Sequence, residues 1–205
     1  MSLFPMFVKL RDRLCIVVGG GEVAASKIPG LVIAEARIRV IAPEVNGSIA
    51  ASAQEGRVEW RRKFFDPADL DGAFLVVAAT NVPDVNHGVY DEAEARGIFC
   101  NAVDDPDYCH FYYPSVVRRG ELQIAISTEG LSPALAQRLR SELEVQFGPE
   151  YEPWIKWLGA ARKFLRGAKD DPEETKKLLH QLARREMFEK FLHERAEGQA
   201  SRSGR

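Results

Sequence analysis

The sequence predicts an α/β fold: a doubly wound parallel sheet, followed by a small strand–helix region and a helical C-terminus. Three observations predict it. Leu14-Cys-Ile-Val-Val18 is a short apolar run that meets three glycines, Gly19, Gly20 and Gly21, and a helix-like segment follows at once. Apolar runs and helical stretches then alternate with short links through roughly the first 105 residues. Phe74-Leu-Val-Val-Ala-Ala79 is apolar throughout rather than alternating, the mark of a parallel strand covered on both faces.

Each element has its own reason. Phe4, Met6 and Val8 alternate with other residues, so a short edge strand is expected before Arg13. The first sheet strand covers Arg13–Val18 and the first helix about Gly21–Ala34, with Val23, Ile28, Leu31 and Val32 on its apolar face. Pro29 falls inside that helix and is expected to kink it near the middle while leaving its first turn intact. A strand over Arg37–Ala42 is stopped by Pro43, and Asn46 or Ser48 caps a helix reaching Gln54. Val58–Arg62 and Phe74–Ala79 are strands, Val82–Arg96 is a helix ended by Gly97, and Ile98–Val103 is a further strand. The pattern then changes. Asp104-Asp-Pro-Asp-Tyr108 is turn chemistry, and Ser115–Arg119 and Leu122–Ser127 form two strands around Gly120-Glu121. Ser132 and Pro133 start a helix to Phe147, Gly148-Pro149 break it, and two more helices cover about Tyr151–Leu165 and Pro172–Arg195. The tail from Glu197 to Arg205 has the composition of a disordered segment.

Composition narrows the function classes. The 205 residues carry a net charge of -2, which leaves no global basic footprint for nucleic acid or an acidic membrane. No apolar run approaches the roughly 20 residues of a spanning helix. The N-terminus lacks a charged start followed by an apolar block, so no signal peptide is expected. The cysteines Cys15, Cys100 and Cys109 are odd in number and form no close pair, which fits a reducing cytoplasm; Cys15 and Cys100 read as buried apolar fillers.

The chemistry begins at the glycines. Gly19-x-Gly21-x-x-Ala24, placed between a strand and a helix, fits the dinucleotide fingerprint of a Rossmann-like domain in its Ala-ending form. Backbone N–H groups and the helix dipole there suit a pyrophosphate; a tight βα turn without ligand is the alternative. Pro43 and Glu44 follow the second sheet strand, where an acid ordinarily binds a ribose hydroxyl. Arg39 lies within that strand and not past its end, so no 2′-phosphate pocket is evident and NAD is expected over NADP. Thr80 and Asn81 end another strand at the edge where dinucleotides lie, and they equally suit N-capping of the next helix. Asp104 sits past the strand that ends near Val103, facing a cleft as a base or folding an Asx turn. Cys109 and His110 resemble metal ligands, but two adjacent side chains without further spacing make no site, and no resident metal is expected.

Taken together, several blocks of the sequence resemble the bacterial siroheme-synthase module, precorrin-2 dehydrogenase and in many members also sirohydrochlorin ferrochelatase. The blocks are Phe4-Pro-Met-Phe-Val8, Val17-Val-Gly-Gly-Gly-Glu-Val-Ala24, Val40-Ile-Ala-Pro-Glu44, Val77-Ala-Ala-Thr-Asn81, Asn101-Ala-Val-Asp-Asp-Pro106, Pro114-Ser-Val-Val-Arg-Arg-Gly-Glu-Leu122, Ala125-Ile-Ser-Thr-Glu-Gly-Leu-Ser-Pro133 and Leu135-Ala-Gln-Arg-Leu-Arg140. They occur in order over about the first 150 residues. The resemblance implies an NAD-binding domain over 1–113, a dimerisation region over 114–148, a helical domain over 149–196 and a tail over 197–205. It implies a cytoplasmic homodimer that oxidises precorrin-2 to sirohydrochlorin, with Fe²⁺ insertion in bifunctional members. No methyltransferase domain, nucleic acid or membrane partner is expected. The resemblance places NAD against Gly19, Gly20, Gly21, Glu22, Val23, Pro43, Glu44, Thr80 and Asn81. It makes Asp104 the catalytic base, with Asp105 second, and puts Ser127, Thr128, Arg118 and Arg138 against the tetrapyrrole carboxylates. Arg118 and Arg119 alternate faces on a strand, and Arg138 and Arg140 lie about 200° apart on a helix, so at most one of each pair is expected to face the substrate, plain solvated charge being the alternative. Ser132 reads as a helix cap alone. The family often has Gly where Glu129 stands and an Asn- or Asp-like residue where His110 stands; His110 reads as a surface residue, a spare base or a transient Fe²⁺ contact. Phe111, Tyr112 and Tyr113 suit a flat macrocycle or plain packing. A module that binds NAD without catalysis is the alternative function.

Overall fold

The computed structural model describes residues 3–168 and 171–203, with 198–203 by backbone alone. The chain divides into two compact units, Met1–Tyr113 and Pro114–Arg205.

The first unit holds β1 (Leu14–Val18), α1 (Glu22–Ile33), β2 (Arg37–Ile41), α2 (Gly47–Gln54), β3 (Glu59–Arg61), β4 (Leu75–Ala78), α3 (Pro83–Ala95) and β5 (Phe99–Ala102). All five strands pair in parallel in the order β3-β2-β1-β4-β5. The chain winds outward from β1 to one edge, returns, and winds to the other. The crevice of such a sheet opens at the strands' C-terminal ends where that direction reverses, between β1 and β4. Alternation along the strands feeds two cores. Leu14, Ile16 and Val18 meet Val89 and Ala93 of α3, whereas Cys15 and Val17 meet Ala24, Ile28 and Leu31 of α1 and Ile49 of α2. Both faces being covered explains why β1 and β4 are apolar without alternation.

Asn46 caps α2, its side chain accepting from the Ile49 N–H at 3.0 Å. Pro29 lies inside α1 without ending it. The expected edge strand over Phe4–Val8 does not form; the segment is irregular and Phe4 and Phe7 are exposed. Alternation alone makes no strand without a neighbour to pair with.

The second unit starts with an antiparallel hairpin, β6 (Ser115–Arg119) and β7 (Leu122–Ile126), turned by Gly120 at φ 57°. It continues with α4 (Pro133–Gln146), α5 (Tyr151–Ala168), α6 (Pro172–Leu182) and α7 (Arg185–Ser203). The single helix expected from Pro172 to Arg195 is therefore two. The break at Ala183 lets Phe188 of α7 return against Tyr151 and Trp154 of α5, at ring separations of 4.5 and 5.5 Å. α7 also runs through Ser203, into the segment whose composition suggests disorder; residues 204–205 of that segment lie outside the described residues.

Candidate cofactor and catalytic site

The glycine turn is shaped by what a side chain would strike. Gly19 takes φ 122°, and a Cβ there would sit 2.3 Å from the Ala79 carbonyl oxygen, across the β1–β4 crevice. A Cβ on Gly20 would lie 2.0 Å from the Glu44 carbonyl oxygen. Hydrogen bonds fasten the turn to β2 and α2: Gly19 N–H donates to Ile41 at 3.0 Å, and Asn46 N–H donates to the Gly20 carbonyl at 2.8 Å. Gly21 differs, because a Cβ there meets nothing within 4 Å. It is the N-cap of α1 and brings no side-chain cap. The first-turn N–H groups of α1 thus face open space with the positive end of the helix dipole behind them. These residues fit a pyrophosphate.

The neighbouring positions divide. Glu22 turns its carboxylate to the Asn46 side-chain amide at 2.9 Å, and Val23 is exposed. Pro43 and Glu44 are exposed past the end of β2. Arg39 is engaged by Glu59 at 2.9 Å within the sheet. Arg62, which sequence reasoning passed over, donates to the Pro43 carbonyl at 3.2 Å beside the Trp60 ring. Thr80 is consumed by structure. Its hydroxyl donates to Asn86 Oδ1 at 2.7 Å and accepts from Val82 N–H at 3.2 Å, so it ties the end of β4 to α3. Asn86, buried, also receives the Thr80 N–H and donates to its carbonyl. Asn81 stays exposed.

Asp104 lies two residues beyond β5, at the same C-terminal edge as the glycine turn. It is exposed and takes φ 63°, the left-handed region. Asp105 turns instead to α3, where its Oδ2 lies 2.7 Å from His87 Nε2. The segment after it folds back on β5. Asn101, a polar residue in an otherwise apolar strand, donates to Cys109 Sγ at 3.2 Å and to the Phe111 carbonyl at 2.8 Å. His110 is no free surface residue: Nδ1 accepts from Cys100 N–H at 2.9 Å, Nε2 meets the Glu94 carboxylate, and the ring stacks on Tyr90. Burial pushes the Cys15 thiol up to about 11 and Cys100 up to about 12, and it raises Cys109 as well, so none of the three is poised as a thiolate. Among the described residues no three His, Cys, Asp or Glu side chains converge as a metal site.

Known proteins share stretches of this sequence and this fold. The family model described as "Putative NAD(P)-binding" matches residues 6–115, and that described as "Sirohaem biosynthesis protein central" matches 119–146. The chain belongs to the family of siroheme-synthase N-terminal modules. It carries the family's NAD(P)-binding domain. It is 46% identical over 151 residues to a siroheme synthase of Methylobacillus flagellatus, covering 74% of this chain and 32% of that protein. It is 38% identical over 204 residues to siroheme synthase 1 of Aeromonas salmonicida, covering 100% of this chain and 42% of that protein. The chain thus spans less than half the length of these relatives. A solved structure titled "SirC, precorrin-2 dehydrogenase" superposes with a TM-score of 0.80 at 26% identity, covering 97% of this chain and 98% of that one.

The positions expected from the sequence to meet a substrate, Ser127, Thr128, Arg118 and Arg138, fall in the second unit. Ser127 Oγ accepts from Glu129 N–H and Thr128 Oγ1 from Ser132 N–H, both at 3.1 Å, so the two hydroxyls fold their own loop. Glu129 takes φ 52°, which explains why glycine suits that place. Ser132 caps α4. Arg119 donates to the carbonyls of Phe147 at 2.8 Å and Glu144 at 3.0 Å, closing the end of α4, while Arg118 is exposed. Arg138 pairs with Glu142 and Arg140 with Glu144, each one turn along the helix. Such exposed pairs are worth under about 1 kcal/mol and leave Arg138 able to meet another anion.

Proposed function

We propose that the chain is a precorrin-2 dehydrogenase that forms sirohydrochlorin with NAD. The observation that carries this reading is Asp104, an exposed carboxylate at the same sheet edge as the Gly19–Gly21 cradle, in a chain that matches SirC precorrin-2 dehydrogenase over nearly its whole length. Gly20, Gly21 and the first turn of α1 hold the pyrophosphate, and Glu44 takes the ribose hydroxyl. Bound NAD supplies the hydride acceptor. For each hydride that leaves precorrin-2, Asp104 accepts the accompanying proton, giving sirohydrochlorin, NADH and a proton released to water. Arg118 and Arg138 hold substrate carboxylates, aided by the Ser127–Thr128 loop. The reading extends to Fe²⁺ insertion, with Asp104 accepting protons from the pyrrole nitrogens while Fe²⁺ enters as substrate. It places 114–148 as the dimerisation region of a cytoplasmic homodimer and 149–196 as the helical domain.

Purified protein given precorrin-2 and NAD⁺ should produce NADH absorbance. Asp104→Ala should lose at least about 10²-fold in turnover while binding NAD with unchanged affinity by calorimetry. Full activity in that variant rejects Asp104 as the base. NAD binding by the wild type with no turnover replaces the enzyme reading with a non-catalytic NAD-binding module. A parallel assay of sirohydrochlorin with Fe²⁺ tests the chelatase arm.

A further inference from the structure

Asp104 is one of four non-glycine residues at positive φ among the described residues, at φ 63°. That conformation carries a cost and persists where the surroundings over-determine it. On its N-terminal side Val103 N–H donates to the Ala78 carbonyl of β4 at 2.9 Å. On its C-terminal side everything converges on Asp105. The Asp105 N–H donates to the Ala102 carbonyl at 3.2 Å, and its carbonyl accepts from Tyr108 N–H at 3.1 Å and from Cys109 Sγ at 3.2 Å. Asp105 also begins a 3-10 turn, Pro106–Tyr108, and an aspartate there ordinarily caps the turn it begins. This one makes no such cap. Its carboxylate is spent on His87 of α3 at 2.7 Å.

His87 is held in turn. Its ring lies flat on Tyr108, with centroids 3.8 Å apart and planes at 9°, and Tyr90 braces Tyr108 edge-on at 5.2 Å. The helix that carries it is locked to the end of β4 by the Thr80–Asn86 bonds. Both partners of the pair are about one-third exposed, 32% for His87 and 38% for Asp105, so water competes only in part.

We propose that His87 is a positioning residue for Asp104, acting through Asp105: the His87–Asp105 bond clamps the turn that presents the Asp104 carboxylate to the crevice. The proposal rests on Asp104 being the base. A carboxylate displaced by an ångström from its working position loses much of its effect, whereas the cofactor cradle lies on other elements and is untouched.

The test is a kinetic series in full-length protein. His87→Ala should lower kcat with precorrin-2 roughly tenfold and leave KM for NAD⁺ unchanged. His87→Gln, which keeps a side-chain N–H to offer Asp105, should recover most of that loss. The double variant His87→Ala/Asp105→Ala should be no slower than either single variant, because both remove one bond. A wild-type kcat in His87→Ala, a loss not recovered by His87→Gln, or additive losses in the double variant would each overturn the clamp. A crystal structure of His87→Ala separates this inference from the functional reading. Residue 104 leaving the left-handed region supports the clamp even in a protein without precorrin-2 turnover, and residue 104 staying there refutes it.

Discussion

Gly19 and Gly21 sit two residues apart and are glycine for opposite reasons. At Gly19 the missing Cβ makes way for the protein's own backbone, 2.3 Å away at Ala79. At Gly21 it leaves the space in front of α1 empty. Substitution should separate the two. Gly19→Ala should destabilise the fold by at least about 2 kcal/mol, since it combines a positive φ with a backbone clash. Gly21→Ala should keep the wild-type thermal midpoint within a few degrees and lose NAD affinity, because the added methyl occupies the approach of the pyrophosphate. Equal stability loss in both variants would show that Gly21 also serves packing. Asp104 belongs to the same scale. Its left-handed backbone lets the chain turn past β5 while the residue stays exposed to solvent.

Elements are joined by side chains that reach across chain distance. Arg119 of β6 is the example in the second unit, closing the carbonyl end of α4 with two hydrogen bonds and a third to its neighbour Arg118. Charged donors to otherwise orphaned carbonyls contribute about 1.5–3 kcal/mol each in favourable settings. Arg119→Ala should therefore lower the urea midpoint by the equivalent of about 2 kcal/mol. Arg118→Ala, at an exposed position, should change stability by less than about 0.5 kcal/mol and instead raise KM for precorrin-2. The reverse ranking would exchange the roles of the two arginines. In the first unit the Thr80–Asn86 bonds do the same work for β4 and α3.

At the scale of the whole molecule, a two-stranded β6–β7 sheet is marginal alone and leaves strand edges unpaired among the described residues. The proposed homodimer answers that need, because a second copy can pair with a free edge. Light scattering of the full chain should give twice the monomer mass, and charged substitution of Val116, half-buried on β6, should shift it toward monomer. A monomeric wild type at micromolar concentration would remove 114–148 as a dimerisation region. No helix among the described residues is long and apolar enough to cross a membrane.

What the sequence determined by itself was local. The glycine turn, the apolar β1 and β4, the Asn46 cap and the Ser132-Pro133 helix start are legible because each is settled by residues within about four positions of one another. The step from Leu182 to Met187 carries a faint sign of the α6–α7 break, since an unbroken apolar stripe would fall three or four residues on. The rest waited for tertiary structure. Alternation at Phe4–Val8 reads as a strand until no neighbour pairs with it. His110 reads as surface until the turn after β5 brings it to Cys100 and Glu94. Asp105, beside the expected base, is aimed by a histidine 18 positions earlier. Those contacts depend on which strand lies beside which, and periodicity, which repeats within a turn or a pleat, carries no record of that.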